Sequence, residues 1–192
     1  MTTRPEPTVL IVPGLRDHVP DHWQTLLQVE LEQAGTKVAC VPRRTNEKLS
    51  CTLWIEEIDR SLAAIDGPVV LVAHSGGVMM VVHWAVRRGD ARPIHGALLA
   101  TPADLERPLP PGYPSQDELQ QHGWLPIPRL PLPFHSVVAA SSNDPLARHD
   151  RVVQFAEAWR GELVELGDVG HLNPASGFGP WPRAAELVRS LL

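Results

Sequence analysis

A serine lies where a very apolar segment ends and a glycine-rich segment begins. Val69–Ala73 is a continuous apolar run, and it is followed by His74, Ser75, Gly76 and Gly77. Such a run is typical of a strand buried on both faces, and the residues after it predict a helix. A serine on the sharp turn between a strand and a helix indicates a nucleophile elbow, which exposes the hydroxyl for attack on a carbonyl carbon.

The turn of a nucleophile elbow is tight, so the positions two before and two after the serine must be small. Ala73 and Gly77 occupy these positions. Glycine is usual at both, so Ala73 departs from the pattern while still meeting its steric requirement. The alternative for Ser75 is a simple N-cap of the following helix.

Two backbone N–H groups are candidates for binding the oxyanion that such an attack creates. Gly76 opens the predicted helix, where the first N–H groups lack helical partners and carry positive potential. Leu15 follows Gly14 after the short apolar strand Val9–Val12. Because Gly14 lets the backbone turn toward the sheet edge, we expect an oxyanion hole formed by Leu15 and Gly76. The alternative at Leu15 is an ordinary turn that ends a strand.

A serine hydroxyl is a weak nucleophile at neutral pH and needs a base. The chain has nine histidines, and His171 lies in a glycine-bearing loop, 167–173, after the last predicted strand. Glycines allow this loop to fold back over the strand ends. We therefore predict that His171 is the base. His74 is adjacent to Ser75, but neighbouring side chains at an elbow point in different directions.

The base in turn needs a carboxylate that orients its ring. Asp144 directly follows the penultimate predicted strand, which gives the chain order Ser75, Asp144, His171 that is typical of α/β-hydrolases. Asp150 lies inside the next helix, and Asp168 lies in the loop of the histidine itself. Asp168 is the stronger rival, and Asp144 could also belong to a plain turn.

The elements that would position these residues alternate along the chain. Short apolar strands are predicted at 9–12, 38–41, 69–73, 94–100, 136–140 and 163–166. Helices are predicted from about 21 to 31 and at 51–65, 76–88, 148–160 and 182–192. This alternation predicts an α/β fold, a three-layer α/β/α sandwich with a mostly parallel sheet, in a single domain over 1–192 without a large cap domain.

Residues 101–133 interrupt this pattern with nine prolines. They cannot form a regular strand or a long helix. A connection of this length is often functional, so a lid or a pocket wall is one hypothesis and a passive surface segment is the other. Trp124 in this segment and Trp181 after the histidine loop are candidates for lining an acyl pocket. Packing in the core is the alternative for both.

The composition is that of a soluble globular protein. Of the 192 residues, 43% are apolar and 20% are charged, and the net charge is −5. A basic excess that would indicate nucleic-acid binding is missing. The two cysteines, Cys40 and Cys51, are too few for a disulfide framework and have no metal-site spacing. We predict no metal, no cofactor and no membrane span, and cytoplasmic localisation, since the polar segment 1–7 does not resemble a signal peptide.

Five short segments together resemble a known family. They are Val12–Leu15, Asp21–Trp23, Ala73–Gly77, Ser142–Pro145 and a block that runs from Gly170–Asn173 to Gly177–Pro182. They resemble the small serine hydrolases related to retinoblastoma-binding protein nine, in the α/β-hydrolase superfamily. The resemblance implies the same fold and the same three residues, Ser75, Asp144 and His171. The namesake of this family is associated with binding the retinoblastoma protein through an LxCxE motif. The nearest candidate here is Leu49–Leu53, which has a leucine, Leu53, in place of the glutamate, so this partner is not predicted.

These observations predict a serine hydrolase that acts on small ester or amide substrates. Two other hypotheses remain open. The chain could be a binding module that kept the fold, lost efficient catalysis and recruits a protein partner. It could also be an acyltransferase or a serine peptidase, and transfer would require a site that excludes water.

Overall fold

The computed structural model describes residues 6–15, 19–89 and 91–192. Most of the N-terminal segment discussed above, 1–5, and one of the nine histidines, His18, therefore lie outside the described residues. Six strands lie within the described ranges: β1 (Thr8–Val12), β2 (Val38–Cys40), β3 (Val69–His74), β4 (Gly96–Ala100), β5 (Ser136–Ser141) and β6 (Glu162–Gly167).

All strand pairs are parallel, and their order across the sheet is β2-β1-β3-β4-β5-β6. The helices are α1 (Trp23–Gln33), α2 (Cys51–Ala63), α3 (Gly76–Arg88), α4 (Gln116–Gln121), α5 (His149–Trp159) and α6 (Pro182–Leu191). The prediction of a parallel α/β sandwich is confirmed. The order reverses between β1 and β3, and such a switch point opens a crevice at the carboxyl ends of the strands.

Alternate side chains of the central strands enter two separate cores. In β3, Leu71 and Ala73 pack with α2, α3 and α5, whereas Val70 and Val72 pack with α1 and α6. The strand is buried along its whole length. This two-sided burial explains why β3 has no polar alternation in the sequence.

The proline-rich segment 101–133 is held against the first of these cores. The six-residue helix α4 interrupts it, and Leu119 of this helix is fully buried. Arg151 of α5 binds both Asp104, at 2.8 Å, and Glu106, at 2.6 Å. These ion pairs, one of whose carboxylates is almost completely buried, fix the start of the segment to α5.

Most predicted element boundaries hold within two residues. β4 begins at Gly96 rather than Ile94, and β3 continues through His74. The predicted start of α1, with a cap at Asp21 or a neighbouring residue, agrees with the structure, in which the His22 ring accepts the hydrogen bond from the Gln24 N–H. No helix among the described residues has the length and apolar character needed to cross a membrane.

A buried histidine of α3 predicts a specific loss of stability in acid. His83 donates a hydrogen bond from Nε2 to the Trp124 carbonyl at 3.0 Å. Burial lowers the pKa of His83 from 6.5 to about 4, although this hydrogen bond opposes the shift. The unfolded chain therefore binds a proton between these pH values while the folded chain does not, so the free energy of unfolding falls as the pH falls.

We expect His83 to account for a loss of about 3 kcal/mol between pH 6.5 and about 4, where its contribution levels off. Urea unfolding at a series of pH values measures this slope. His83→Gln, which can still donate to the carbonyl, should reduce the slope in that window. An identical slope in the two proteins would contradict the assignment.

Candidate active site

Ser75 lies on a strained turn between β3 and α3. Its backbone has φ +58° and ψ −124°, a conformation that is costly for a residue with a side chain. The turn brings α3 so close to β1 that a Cβ atom at Gly77 would lie 2.4 Å from the Val12 carbonyl oxygen. Only glycine fits there, whereas the alanine at 73 is accommodated in the core.

The Ser75 side chain does not cap α3. Its hydroxyl instead donates to His171 Nε2 at 2.7 Å, and His171 Nδ1–H donates to Asp144 at 2.8 and 3.0 Å. The side chains of His171 and Asp144 are 5% and 1% exposed. An ionised carboxylate can only accept hydrogen bonds, so Asp144 holds the proton on Nδ1 and leaves Nε2 free to accept the serine proton.

The rival carboxylate, Asp168, faces away from this arrangement. It accepts a hydrogen bond from the Ser142 hydroxyl at 2.5 Å at an exposed position. Although Asp168 is only three residues from His171 in the sequence, the turn between them directs the two side chains apart. The structure thus brings together Ser75, Asp144 and His171 and leaves Asp168 outside.

Hydrogen bonds to the backbone hold the histidine loop in place. Asn143 Oδ1 accepts from the Gly170 N–H at 2.6 Å, and Ser176 Oγ accepts from the His171 N–H at 3.0 Å. Gly170 has φ +56°, and a Cβ there would lie 2.7 Å from the Ser176 side chain. A side chain at position 170 would be strained by this backbone conformation and would have to displace the Ser176 side chain, so this path of the loop favours glycine.

His74 helps to hold the His171 backbone in position. Its Nε2–H donates to the His171 carbonyl at 2.9 Å, and the two rings lie 4.9 Å apart. Burial, reinforced by the neighbouring His171 and His22 rings, holds the pKa of His74 well below its usual range. His74 is therefore neutral, and it adds no positive charge beside the imidazolium that His171 would become. The sequence suggested only that its side chain points away from Ser75.

The two predicted oxyanion donors are neighbours in space. A Cβ built on Gly76 would lie 3.4 Å from the Leu15 backbone nitrogen. Within the described ranges, neither N–H has a hydrogen-bond acceptor in the protein. Both groups are thus available to an oxygen that develops negative charge next to Ser75.

Gln24 of α1 ties together the strands that carry these groups, and sequence reasoning gave no sign of it. Its Nε2 donates to the Val12 carbonyl at 3.3 Å and to the Val72 carbonyl at 3.0 Å. Val12 lies in β1, which leads to Leu15, and Val72 lies in β3, which leads to Ser75. A buried glutamine at an otherwise apolar helix position is the only signal that could have indicated this role.

A cavity of about 490 Å³ opens onto Ser75, His171 and Gly76. This volume lies within the range of about 300–1,000 Å³ that is common for small-molecule sites. Part of its wall comes from the proline-rich segment, through residues 103–119. Of the two hypotheses for this segment, the structure favours the functional one, since part of the segment lines the cavity.

The two tryptophans considered as candidates for an acyl pocket are not among the described residues that line this cavity. Trp124 is fully buried, and its Nε1–H donates to the Leu49 carbonyl. Trp181 packs edge-to-face on Trp23, with ring centroids 4.8 Å apart. The pocket-lining candidates are therefore corrected: both rings are used in packing, which was the alternative hypothesis for each.

The sheet order, the elbow and the cavity at the switch point define an α/β hydrolase. The family model described as serine hydrolase matches residues 9–190, and the chain belongs to that family. Among solved structures, it is 30% identical to a protein of Pectobacterium atrosepticum described as a YdeN-like hydrolase, with 96% of this chain and 92% of that one covered and a TM-score of 0.74.

The ydeN gene product of Bacillus subtilis is similar in fold at 18% identity, with coverage of 97% and 98% and a TM-score of 0.75. Est1E of Butyrivibrio proteoclasticus matches at 14% identity, with coverage of 99% and 87% and a TM-score of 0.66. Among curated proteins, none matches this chain.

Proposed function

We propose that this serine hydrolase cleaves small carboxylic esters or amides through an acyl-enzyme on Ser75. His171 acts as the general base and Asp144 orients it. The observation that carries the proposal is the continuous hydrogen-bonded line from Ser75 Oγ to His171 Nε2 and from His171 Nδ1 to Asp144. The line ends at a strained elbow beside the Leu15 and Gly76 N–H groups.

Acylation begins when Ser75 Oγ attacks the substrate carbonyl carbon and its proton moves to His171 Nε2. The carbonyl oxygen becomes an oxyanion that accepts hydrogen bonds from Leu15 and Gly76. The bond between the carbonyl carbon and the leaving group then breaks. His171 gives its proton to the departing oxygen or nitrogen, and the acyl group remains as an ester of Ser75.

Deacylation repeats these steps with water. His171 takes a proton from the water as its oxygen attacks the acyl carbon, and the same N–H groups hold the second oxyanion. The bond to Ser75 Oγ breaks, and His171 returns its proton to that oxygen. The products are a carboxylic acid and the regenerated serine, and neither step consumes a cofactor.

Two finer predictions remain proposals. Within the family, the five segments quoted above favour the branch related to retinoblastoma-binding protein nine. Cytoplasmic localisation is proposed from the sequence alone.

Covalent labelling tests the proposed function directly. A fluorophosphonate probe should label the native protein stoichiometrically, because the probe reacts with activated serines through the same base and oxyanion donors. Ser75→Ala and heat-denatured protein serve as controls, and neither should be labelled. Intact-protein mass spectrometry gives the stoichiometry, and peptide mapping gives the site.

Failure to label the folded wild-type protein would contradict the proposal and favour the binding-module hypothesis. Labelling that persists in Ser75→Ala would place the nucleophile elsewhere.

A further inference from the structure

The wall of the cavity differs in chemical character on the two sides of Ser75. One side is lined mainly by aliphatic side chains: Leu15, Ala103, Leu105, Leu109, Leu119 and Leu146. All of them belong to, or pack against, the apolar core on the α2, α3 and α5 face of the sheet. The half-buried Tyr113 and the solvent-exposed Lys48 also line the cavity.

The other side of the cavity carries polar side chains, and Val19, Pro174 and Ala175 also line the cavity. His22 and Gln24 come from the start of α1, and His171 and Asn173 come from the loop before α6. These two helices cover the opposite face of the sheet. Ser75 therefore lies at the border between an aliphatic and a polar half of one cavity.

The chemistry of the tetrahedral intermediate assigns each half to a part of the substrate. The oxyanion must face the Leu15 and Gly76 N–H groups, and the leaving group must face His171, which supplies its proton. The leaving group therefore occupies the polar half. The acyl substituent takes the remaining direction, along the aliphatic half.

Ion pairs and hydrogen bonds of neighbouring residues hold this aliphatic wall in place. Glu106 binds Arg129 at 2.7 Å and Arg151 at 2.6 Å, and both guanidinium groups lie over the Phe155 ring. The Gln116 side chain donates to the Leu105 carbonyl at 2.9 Å and also to the Arg107 carbonyl. A wall held by this many contacts presents a preformed surface, so binding to it does not require ordering of the segment.

We infer that the preferred substrates are esters of uncharged aliphatic carboxylic acids longer than acetate, with the acyl chain lying along the Leu105–Leu109 side of the cavity. This inference rests on the proposed function and names the substrate class of the same site. Each methylene that leaves water for this wall should raise kcat/KM about fourfold, up to the length of the cavity.

The acyl chain length is tested with 4-nitrophenyl acetate, butyrate and hexanoate, which share one leaving group. We expect kcat/KM to rise by about two orders of magnitude from acetate to hexanoate. The 6-aminohexanoate ester and the adipate half-ester have six-carbon acyl chains that end in a charge. Both should react at least about tenfold more slowly than hexanoate, because their charges would have to leave water.

Two leucines of the proline-rich segment provide a matched pair of variants. Leu109→Asp places a carboxylate on the aliphatic wall and should reduce the hexanoate-to-acetate ratio of kcat/KM at least about tenfold. Leu130 is 58% exposed and lies outside the described lining of the cavity, so Leu130→Asp should keep the wild-type ratio. Fluorophosphonate stoichiometry verifies that each variant is folded.

The outcomes separate the two proposals. Ser75-dependent hydrolysis with a flat chain-length profile, or with a preference for either charged acyl chain, would overturn the substrate class and leave the proposed function intact. Absence of Ser75-dependent hydrolysis with every ester would overturn both.

Discussion

Replacing Ser75 with alanine is expected to lower kcat for ester hydrolysis by about 10⁴- to 10⁶-fold, and His171→Ala should cost a similar factor. The serine oxygen forms the bond to the acyl group, and the histidine must remove its proton for that bond to form. Because the two side chains act as one unit, the double variant should lose no more than either single variant. Steady-state rates with a 4-nitrophenyl ester, measured well above KM, give the comparison.

Ser142→Ala is a suitable control for this series. Ser142 also follows a strand end, but its hydroxyl donates to Asp168 and takes no part in the line to His171. Its kcat should stay close to the wild-type value. Losses from Ser75→Ala and His171→Ala that multiply in the double variant would show that the two residues act independently, contrary to the proposed mechanism.

Asp144→Asn is expected to lower kcat by about 10⁴-fold. The amide offers an N–H where the carboxylate offers an acceptor, so the His171 ring would hold its proton on Nε2 and could not accept the serine proton. Asp144 is nearly inaccessible to water, and solvent cannot replace the lost interaction. Hydrolysis rates, together with circular dichroism of the variant, measure the effect on a folded protein.

Asp168→Asn is the matched control for Asp144→Asn, since it makes the same chemical change in a carboxylate that lies three residues before His171 but does not contact it. It should leave kcat close to the wild-type value, because Asp168 accepts its hydrogen bond from Ser142 and not from His171. A large loss in Asp168→Asn with little loss in Asp144→Asn would reverse the assignment of the orienting carboxylate.

The fold was predictable because its signals are local. The apolar run of β3 and the amphipathic pattern of α2 each indicate which of their own residues are buried, and each signal lies within a single short segment. The short helix α4 was not predicted, since six residues between prolines provide too little periodicity to recognise. Its capping box, in which Ser115 and Glu118 exchange hydrogen bonds with each other's backbone, was a usable sign.

The candidate site was predictable where one short segment contains the whole physical argument. The strand, the serine and the small residues Ala73 and Gly77 are contiguous, and the tightness of the turn restricts them directly. The supporting residues His74 and Gln24 could not be assigned in this way. Their partners, the His171 carbonyl and the ends of β1 and β3, lie far away in the sequence.

The sequence by itself determined the alternation of strands and helices, the elbow at Ser75 and the order in which serine, acid and histidine follow one another. Only the tertiary structure decided that Asp144 rather than Asp168 faces His171, that Trp124 and Trp181 pack away from the cavity, and that an aliphatic wall lies beside Ser75. The physical reason is range. Burial patterns and turn sterics act between near neighbours, whereas a site joins side chains that stand 27 and 96 residues apart and that meet only when the sheet order and the loop paths bring them together.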